Sequence, residues 1–239
     1  MSSPSAFRFW AVVPAAGRGA RMAVEGPPKQ YLRIAQKTVL EWSVGALLSR
    51  QDCAGVVVAL AEGDEHWPQL TLRDEPRVIT VTGGGQRTDS VAAGLEALAA
   101  RCDENDWVLV HDAARPCLSA HDLRQLIDAL RNDEVGGLLA APVVDTLKRS
   151  DGDRVAQTVS RDALWRALTP QMFRYGLLRR ALSEAASRRV AVTDEAQAIE
   201  FLGLKPRLVP GNADNIKVTL VEDIERAERI LLGTGAQAR

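Results

Sequence analysis

The run Val56-Val57-Val58-Ala59-Leu60 carries no polar residue in either phase of its alternation. Successive side chains of a strand point to opposite faces, so both faces of this segment must be covered. Further apolar stretches at 9–14, 77–82, 107–110 and 137–144, with the second strand drawn over 55–61, alternate with helical patterns at 39–49, 90–100 and 123–131. Strands alternating with helices predict an open, Rossmann-like, mostly parallel twisted sheet with helices on both faces. Such sheets bind ligands beyond the carboxyl ends of their strands. The unusual residues of this chain fall at those ends, after Pro14, Thr82 and Val110.

The pattern breaks at 146–160. Leu147-Lys148-Arg149-Ser150, an Asp151-Gly152-Asp153 turn and a second polar stretch read as a protruding hairpin arm. An isolated two-stranded arm is marginal in water, which favours pairing with a second subunit over a solvated ornament. Helices at 175–186 and 194–202, a strand at 206–209 and a helix at 221–231 complete the chain. Ser119 with Asp122, and Thr219 with Glu222, have the spacing of capping boxes, and Thr193 stands as an N-cap.

With 239 residues, the chain is expected to form one domain over 1–239 with the arm as its appendage. A net charge of −1 argues against bulk attraction to nucleic acid, so anion binding must come from local clusters. Cys53, Cys102 and Cys117 lack metal-binding spacing and read as reduced thiols. No signal peptide or spanning segment is visible, which places the protein in the cytoplasm as an expectation.

Three clusters carry chemistry. Pro14-Ala15-Ala16-Gly17-Arg18-Gly19-Ala20-Arg21-Met22 follows the first strand, and Pro28-Lys29-Gln30-Tyr31 lies close behind. Small residues let backbone N–H groups approach phosphate oxygens, while Arg18, Arg21 and Lys29 add mobile positive charge. The loop lacks the third glycine of a dinucleotide fingerprint, although Glu62 stands where its acid would be, and it does not match a P-loop. A plain strand-to-helix turn is the competing reading. The second cluster, Gly83-Gly84-Gly85-Gln86-Arg87-Thr88-Asp89-Ser90, suits a backbone lying against a base or ribose, with Arg87 and Ser90 at the ligand; a flexible turn with a cap is the alternative. In the third, Val110-His111-Asp112-Ala113-Ala114-Arg115-Pro116, Asp112 can meet Mg²⁺ or another divalent cation, which takes one or two carboxylates along with phosphate oxygens. Arg115 either clamps a phosphate or pairs with Asp112, and His111 reads as packed rather than ligating. Asp145-Thr146, Arg161, Thr169-Pro170-Gln171, Thr193-Asp194-Glu195 and the stretch from Asn212 to Val218, with Asp214 as a further metal candidate and Lys217 in a strand-like run, form a dispersed fourth set.

These motifs, with Leu168-Thr169-Pro170-Gln171, Thr193-Asp194-Glu195-Ala196 and Asp214-Asn215-Ile216-Lys217-Val218-Thr219, resemble the 2-C-methyl-D-erythritol 4-phosphate cytidylyltransferase family from about residue 11 to the last helix. The sequence departs from that pattern at Ala20, at Gly85 and by one residue between Met22 and Lys29. The resemblance implies a fold of the nucleotide-diphospho-sugar transferase type, a homodimer joined through the arm, and transfer of CMP from CTP to the sugar-alcohol phosphate in the non-mevalonate isoprenoid pathway. Arg21 and Lys29 would then stabilise charge on the α-phosphate and departing pyrophosphate. Arg161 and Lys217 would position the acceptor phosphate. Ala15, Ala16, Gly84 and Ser90 would frame cytosine and ribose, with Gly17, Gly19, Arg87, Asp112 and Ala113 completing the nucleotide site. Arg115, Thr146 and Thr193 would touch the acceptor, and Asp112 and Asp214 would serve the metal. Two other readings stay open: a cytidylyltransferase for another sugar-alcohol phosphate such as ribitol 5-phosphate, and a nucleotide-binding regulator without turnover.

Overall fold

The computed structural model describes residues 7–17 and 26–234. Its centre is a seven-stranded sheet built from β1 (Phe9–Pro14), β4 (Cys53–Leu60), β5 (Val78–Thr82), β6 (Trp107–Val110), β7 (Gly136–Pro142), β10 (Trp165–Arg174) and β11 (Arg207–Pro210). Their order is β11-β7-β10-β6-β1-β4-β5. All pairings are parallel except those of β10, which runs antiparallel to both β6 and β7. A short pair, β2 (Arg33–Ile34) with β3 (Lys37–Thr38), and the arm, β8 (Leu147–Asp151) with β9 (Arg154–Val159), stand apart from it.

The apolar runs predicted to be covered on both faces are so covered. Phe9, Ala11 and Val13 of β1, with Val56 and Val58 of β4, meet α1 (Val39–Leu48) and α3 (Ala120–Leu130) on one side. Val12 and Val57 meet α2 (Arg87–Ala97), α4 (Tyr175–Ser187) and α5 (Glu195–Phe201) on the other. The period of two thus splits one strand between two cores. At Gly94 a Cβ would lie 2.5 Å from Val12 Cγ1. The missing side chain lets α2 lie close on β1 and carries its N-terminus to the strand's C-terminal end. A third, smaller core under α6 (Glu222–Thr234) joins Ile34, Val39, Cys117, Val218 and Ala227.

The structure revises several expected elements. β10 was not foreseen: Thr169-Pro170-Gln171 interrupts its apolar pattern, and proline is normally excluded from a central strand. Pro170 is tolerated because the β7–β10 ladder is irregular between Ala167 and Gln171. Helix α2 begins at Arg87, three residues early, because the Asp89 carboxylate accepts the Gln86 N–H at 3.0 Å. Ser119 caps α3 by accepting the Asp122 N–H at 3.0 Å, while the Asp122 carboxylate turns instead to the Asn212 N–H. At α6 the box partner of Thr219 is Asp223, not Glu222. Asp194, not Thr193, caps α5. The stretch around Lys217 is irregular rather than a strand. Among the described residues no helix is long and apolar enough to cross a membrane.

Candidate active site

The carboxyl ends of β1, β5 and β6 and the start of α2 enclose one cleft. Ala15, Ala16, Gly17, Lys29, Gly84, Gly85, Arg87, Ser90, Asp112, Ala113 and Lys217 all line it. Residues from all three predicted clusters therefore meet at one place.

The first loop is held from behind by Gln30. Its buried side-chain amide donates to the Ala15 carbonyl at 2.8 Å and the Gly17 carbonyl at 3.2 Å. A planar trans peptide then turns the N–H of Ala16 away from Gln30. Gln30 lies in the single 3-10 turn Lys29–Tyr31, so this amide also ties Lys29 to the loop. Tyr31 fixes the other side, donating its hydroxyl to Asp64 Oδ2 at 2.7 Å. Arg18, Gly19 and Arg21 lie outside the described residues.

The glycine loop is fastened by Ser90, whose Oγ accepts the Gly84 N–H at 3.2 Å and donates to the Gln86 carbonyl at 3.2 Å. A Cβ on Gly83 would lie 2.7 Å from both Ala16 Cβ and Ser90 Oγ, so a glycine there brings the two loops together.

Asp112 is the electrostatic centre. Its carboxylate lies 2.9 Å from Arg87 Nε, 2.9 Å from Lys217 Nζ and 3.5 Å from Arg115 Nε. Burial would raise this carboxyl, but the three cations overcome it and hold Asp112 well below the usual carboxylate range. Arg115 is buried, and its guanidinium donates to the carbonyls of Asn215 and Ala167. Of its two predicted roles, the structure shows the pairing with Asp112. Arg87 gives Nη1 and Nη2 to Glu195 at 2.6 and 3.0 Å while its Nε faces Asp112. Lys217 differs from both arginines: its side chain is 40% exposed. Asn215 and Val218 on either side of it are fully buried, which fixes the backbone and leaves Lys217 facing the cleft.

His111 is completely buried. Its Nε2 lies 3.1 Å from the Arg115 carbonyl, which can only accept, so Nε2 carries the proton. Its Nδ1 lies 2.9 Å from Thr169 Oγ1, which itself accepts the Asp112 N–H at 3.1 Å, so the hydroxyl donates to Nδ1. Burial lowers this imidazole to about 4. The histidine is therefore a neutral strut beneath Asp112.

Other predicted residues lie elsewhere in the single chain. Arg161 and Thr146 are exposed at the base of the arm, where the Arg161 guanidinium donates to the Val144 carbonyl. Thr193 is exposed ahead of α5, and Asp214 is exposed and not among the residues lining the cleft. Among the described residues no group of three or more His, Cys, Asp or Glu side chains could hold a metal ion. A divalent cation carried by phosphate oxygens needs fewer protein ligands. Asp112 suits that smaller role, as one carboxylate at the cleft whose Oδ1, among the described residues, faces Arg87.

Sequence reasoning placed Thr169 and Glu195 in the dispersed fourth set and Gln30 beside Lys29, but gave none of the three a role. Glu195 left one trace: it shares the stripe of Ala198 and Ile199, where a charge is out of place.

A sequence model of the 2-C-methyl-D-erythritol 4-phosphate cytidylyltransferase family matches residues 9–233. Proteins of that name from Ectopseudomonas mendocina and Pseudomonas fluorescens are 54% and 52% identical over 219 residues, covering 91% of this chain and 93% of each relative. A crystal structure of a 4-diphosphocytidyl-2C-methyl-D-erythritol synthase superposes with a TM-score of 0.83 at 37% identity, covering 95% of this chain and 99% of its own. The Francisella tularensis 2-C-methyl-D-erythritol 4-phosphate cytidylyltransferase superposes with a TM-score of 0.81 at 30% identity, covering 93% of this chain and 99% of its own.

Proposed function

We infer that this chain, which belongs to the 2-C-methyl-D-erythritol 4-phosphate cytidylyltransferase family, transfers CMP from CTP to 2-C-methyl-D-erythritol 4-phosphate. The products are 4-diphosphocytidyl-2-C-methyl-D-erythritol and pyrophosphate. An oxygen of the acceptor phosphate forms a bond to the α-phosphorus of CTP. The bond from that phosphorus to the α–β bridging oxygen breaks, and pyrophosphate leaves with the electron pair. The nucleophile belongs to the substrate, so the protein needs no nucleophile of its own. The buried residues agree with that: both ring nitrogens of His111 are engaged, and burial pushes the Cys53 and Cys117 thiols up to about 11 and about 12.

The protein must instead hold two polyanions together in line. Lys29 and Lys217 serve as the fixed cations, with Arg21 completing the set on the triphosphate side. Gln30 keeps the first loop shaped for the phosphates, while the glycine loop and Ser90 receive the cytidine. Asp112 would hold a divalent cation, which would supply further neutralisation of phosphate charge. Arg161 and Thr146 join the acceptor phosphate through the arm of a second copy. The exposed arm, with Val155 63% exposed on it and Trp165 38% exposed at its base, supports that pairing.

The observation that carries this reading is the meeting of Lys29 and Lys217 with two small-residue loops in one cleft. The test is to supply CTP with 2-C-methyl-D-erythritol 4-phosphate or ribitol 5-phosphate and identify products by mass. Pyrophosphate release with the first acceptor supports the reading. Preference for the second reassigns the acceptor, and CTP binding without turnover of either leaves a regulator.

A further inference from the structure

We propose that Glu195 is a positioning residue for the transfer site: acting through Arg87 and Asp112, it sets where the Lys217 ammonium stands. This rests on the cytidylyl-transfer reading above, and it concerns a residue that never touches the substrates.

Glu195 is the first residue of α5 and is fully buried. One side chain of β10 holds the residues on both sides of it. Gln171 donates its amide N–H to Asp194 Oδ2 at 2.9 Å and accepts the Ala196 N–H on its amide oxygen at 2.8 Å. Both Glu195 carboxylate oxygens then receive Arg87, at 2.6 and 3.0 Å. A guanidinium is planar and rigid, so fixing its two terminal nitrogens also fixes the direction of Nε. That Nε meets Asp112 Oδ1, which leaves Oδ2 turned toward Lys217 at 2.9 Å, with Arg115 Nε farther off at 3.5 Å.

Without the Glu195 carboxylate, Arg87 would be a half-buried cation whose remaining anionic partner among the described residues is Asp112. It would close on both oxygens of Asp112 and compete with Lys217 for Oδ2. Lys217, the exposed member, would be displaced. Burying such a pair is poorly repaid in stability, since its desolvation offsets most of its attraction. Placement is what the arrangement provides.

The test is a double-substitution cycle with Glu195→Gln and Lys217→Gln, measured by steady-state turnover of CTP and the acceptor phosphate. Folding is checked by near-ultraviolet circular dichroism. Glu195→Gln keeps the shape and removes the charge. It should lower kcat on the order of 10- to 100-fold, the usual effect of a lost supporting partner or a displacement of about 1 Å. The same change in the Lys217→Gln background should lower kcat by less than about twofold, because the group it positions is already gone. A purely structural role would cost the same factor in both backgrounds, and that result overturns the proposal. So does a Glu195→Gln enzyme with wild-type kcat. If Glu195→Gln does not fold, Arg87→Lys, which keeps the charge and loses the fork, enters the same cycle with the same expectations. Failure of the functional reading shows separately, in the unsubstituted enzyme: turnover of ribitol 5-phosphate in place of methylerythritol phosphate reassigns the acceptor, and the cycle is then run on that substrate.

Discussion

Replacing His111 by glutamine should remove a specific part of the protein's acid sensitivity. Burial holds the His111 imidazole at about 4, against about 6.5 for an unfolded histidine. Between those values the unfolded chain binds a proton that the native chain does not. Stability therefore rises with pH through that window and falls on acidification. From pH 7 to pH 5 the linkage integral for this one group is about 2 kcal/mol, at about 1.4 kcal/mol per unit of difference. Asp112 contributes no slope there, because its depressed folded value and its unfolded value of about 3.9 both lie below the window. Urea unfolding at the two pH values, for wild type and His111→Gln, isolates the term, since other titrations are common to both proteins. Glutamine can still donate toward the Arg115 carbonyl but cannot titrate. The substitution should be more damaging at pH 7 than at pH 5 by about 2 kcal/mol. Imidazole resonances should agree, with the His111 ring unprotonated down to about pH 5. Equal penalties at the two pH values, or a His111 ring titrating near the free value, would refute the neutral-strut assignment.

Lys29→Ala should lower kcat by on the order of 100-fold or more with little change in unfolding free energy, because it removes a fixed cation from the cleft while the turn stays anchored by Gln30 and Tyr31; an unchanged rate removes it from the mechanism. Gln30→Leu strips two carbonyls of their donor and should reduce affinity for CTP, read by calorimetry, along with stability by about 1–3 kcal/mol. Turnover should stop in excess chelator and return with Mg²⁺; full activity under chelation rules out the divalent cation. Deleting 148–158 should convert a dimer to a monomer in sedimentation velocity and abolish turnover, and a wild type that sediments as a monomer while active contradicts the shared-site reading of Arg161.

The architecture was legible where burial and polarity coincide. β1 and β6 end where their apolar runs end, at Pro14 and Val110. It was hidden where a buried segment is polar. Thr169, Gln171 and Asn215 are all inside the protein, and each hydrogen-bonds a group distant in sequence: the Asp112 N–H, the start of α5 and the Thr169 carbonyl. No periodicity reports such pairings, so no strand was expected at β10. The caps show the same limit. Thr219 was seen, but whether Glu222 or Asp223 turns back to it depends on where the helix starts, and spacing alone does not fix that. In the cleft, the residue types that contact solvent, Lys29 and Lys217, were legible as cations. Their supports, Gln30 and Glu195, were given no role because a single sequence does not show burial.

The arrangement around Asp112 also explains how a chain with net charge −1 offers a site for polyanions. Three cations face one carboxylate there, and Glu195 neutralises the back of Arg87, so the local excess is carried by Lys217 at the open side. Lys217 is also the cheapest of the three to redirect. Both arginines are held by further partners, to Glu195 and to backbone carbonyls, whereas the lysine ammonium is a compact charge on a flexible stem. On the proposed reading an arriving phosphate is a second anionic partner for Lys217, whose ammonium carries three N–H donors and keeps its contact with Asp112. Asp112 shares its charge among Arg87, Arg115 and Lys217, and holds the lysine by Oδ2. The two arginines thus stay with their protein partners, and a single lysine links the resident carboxylate to the substrate.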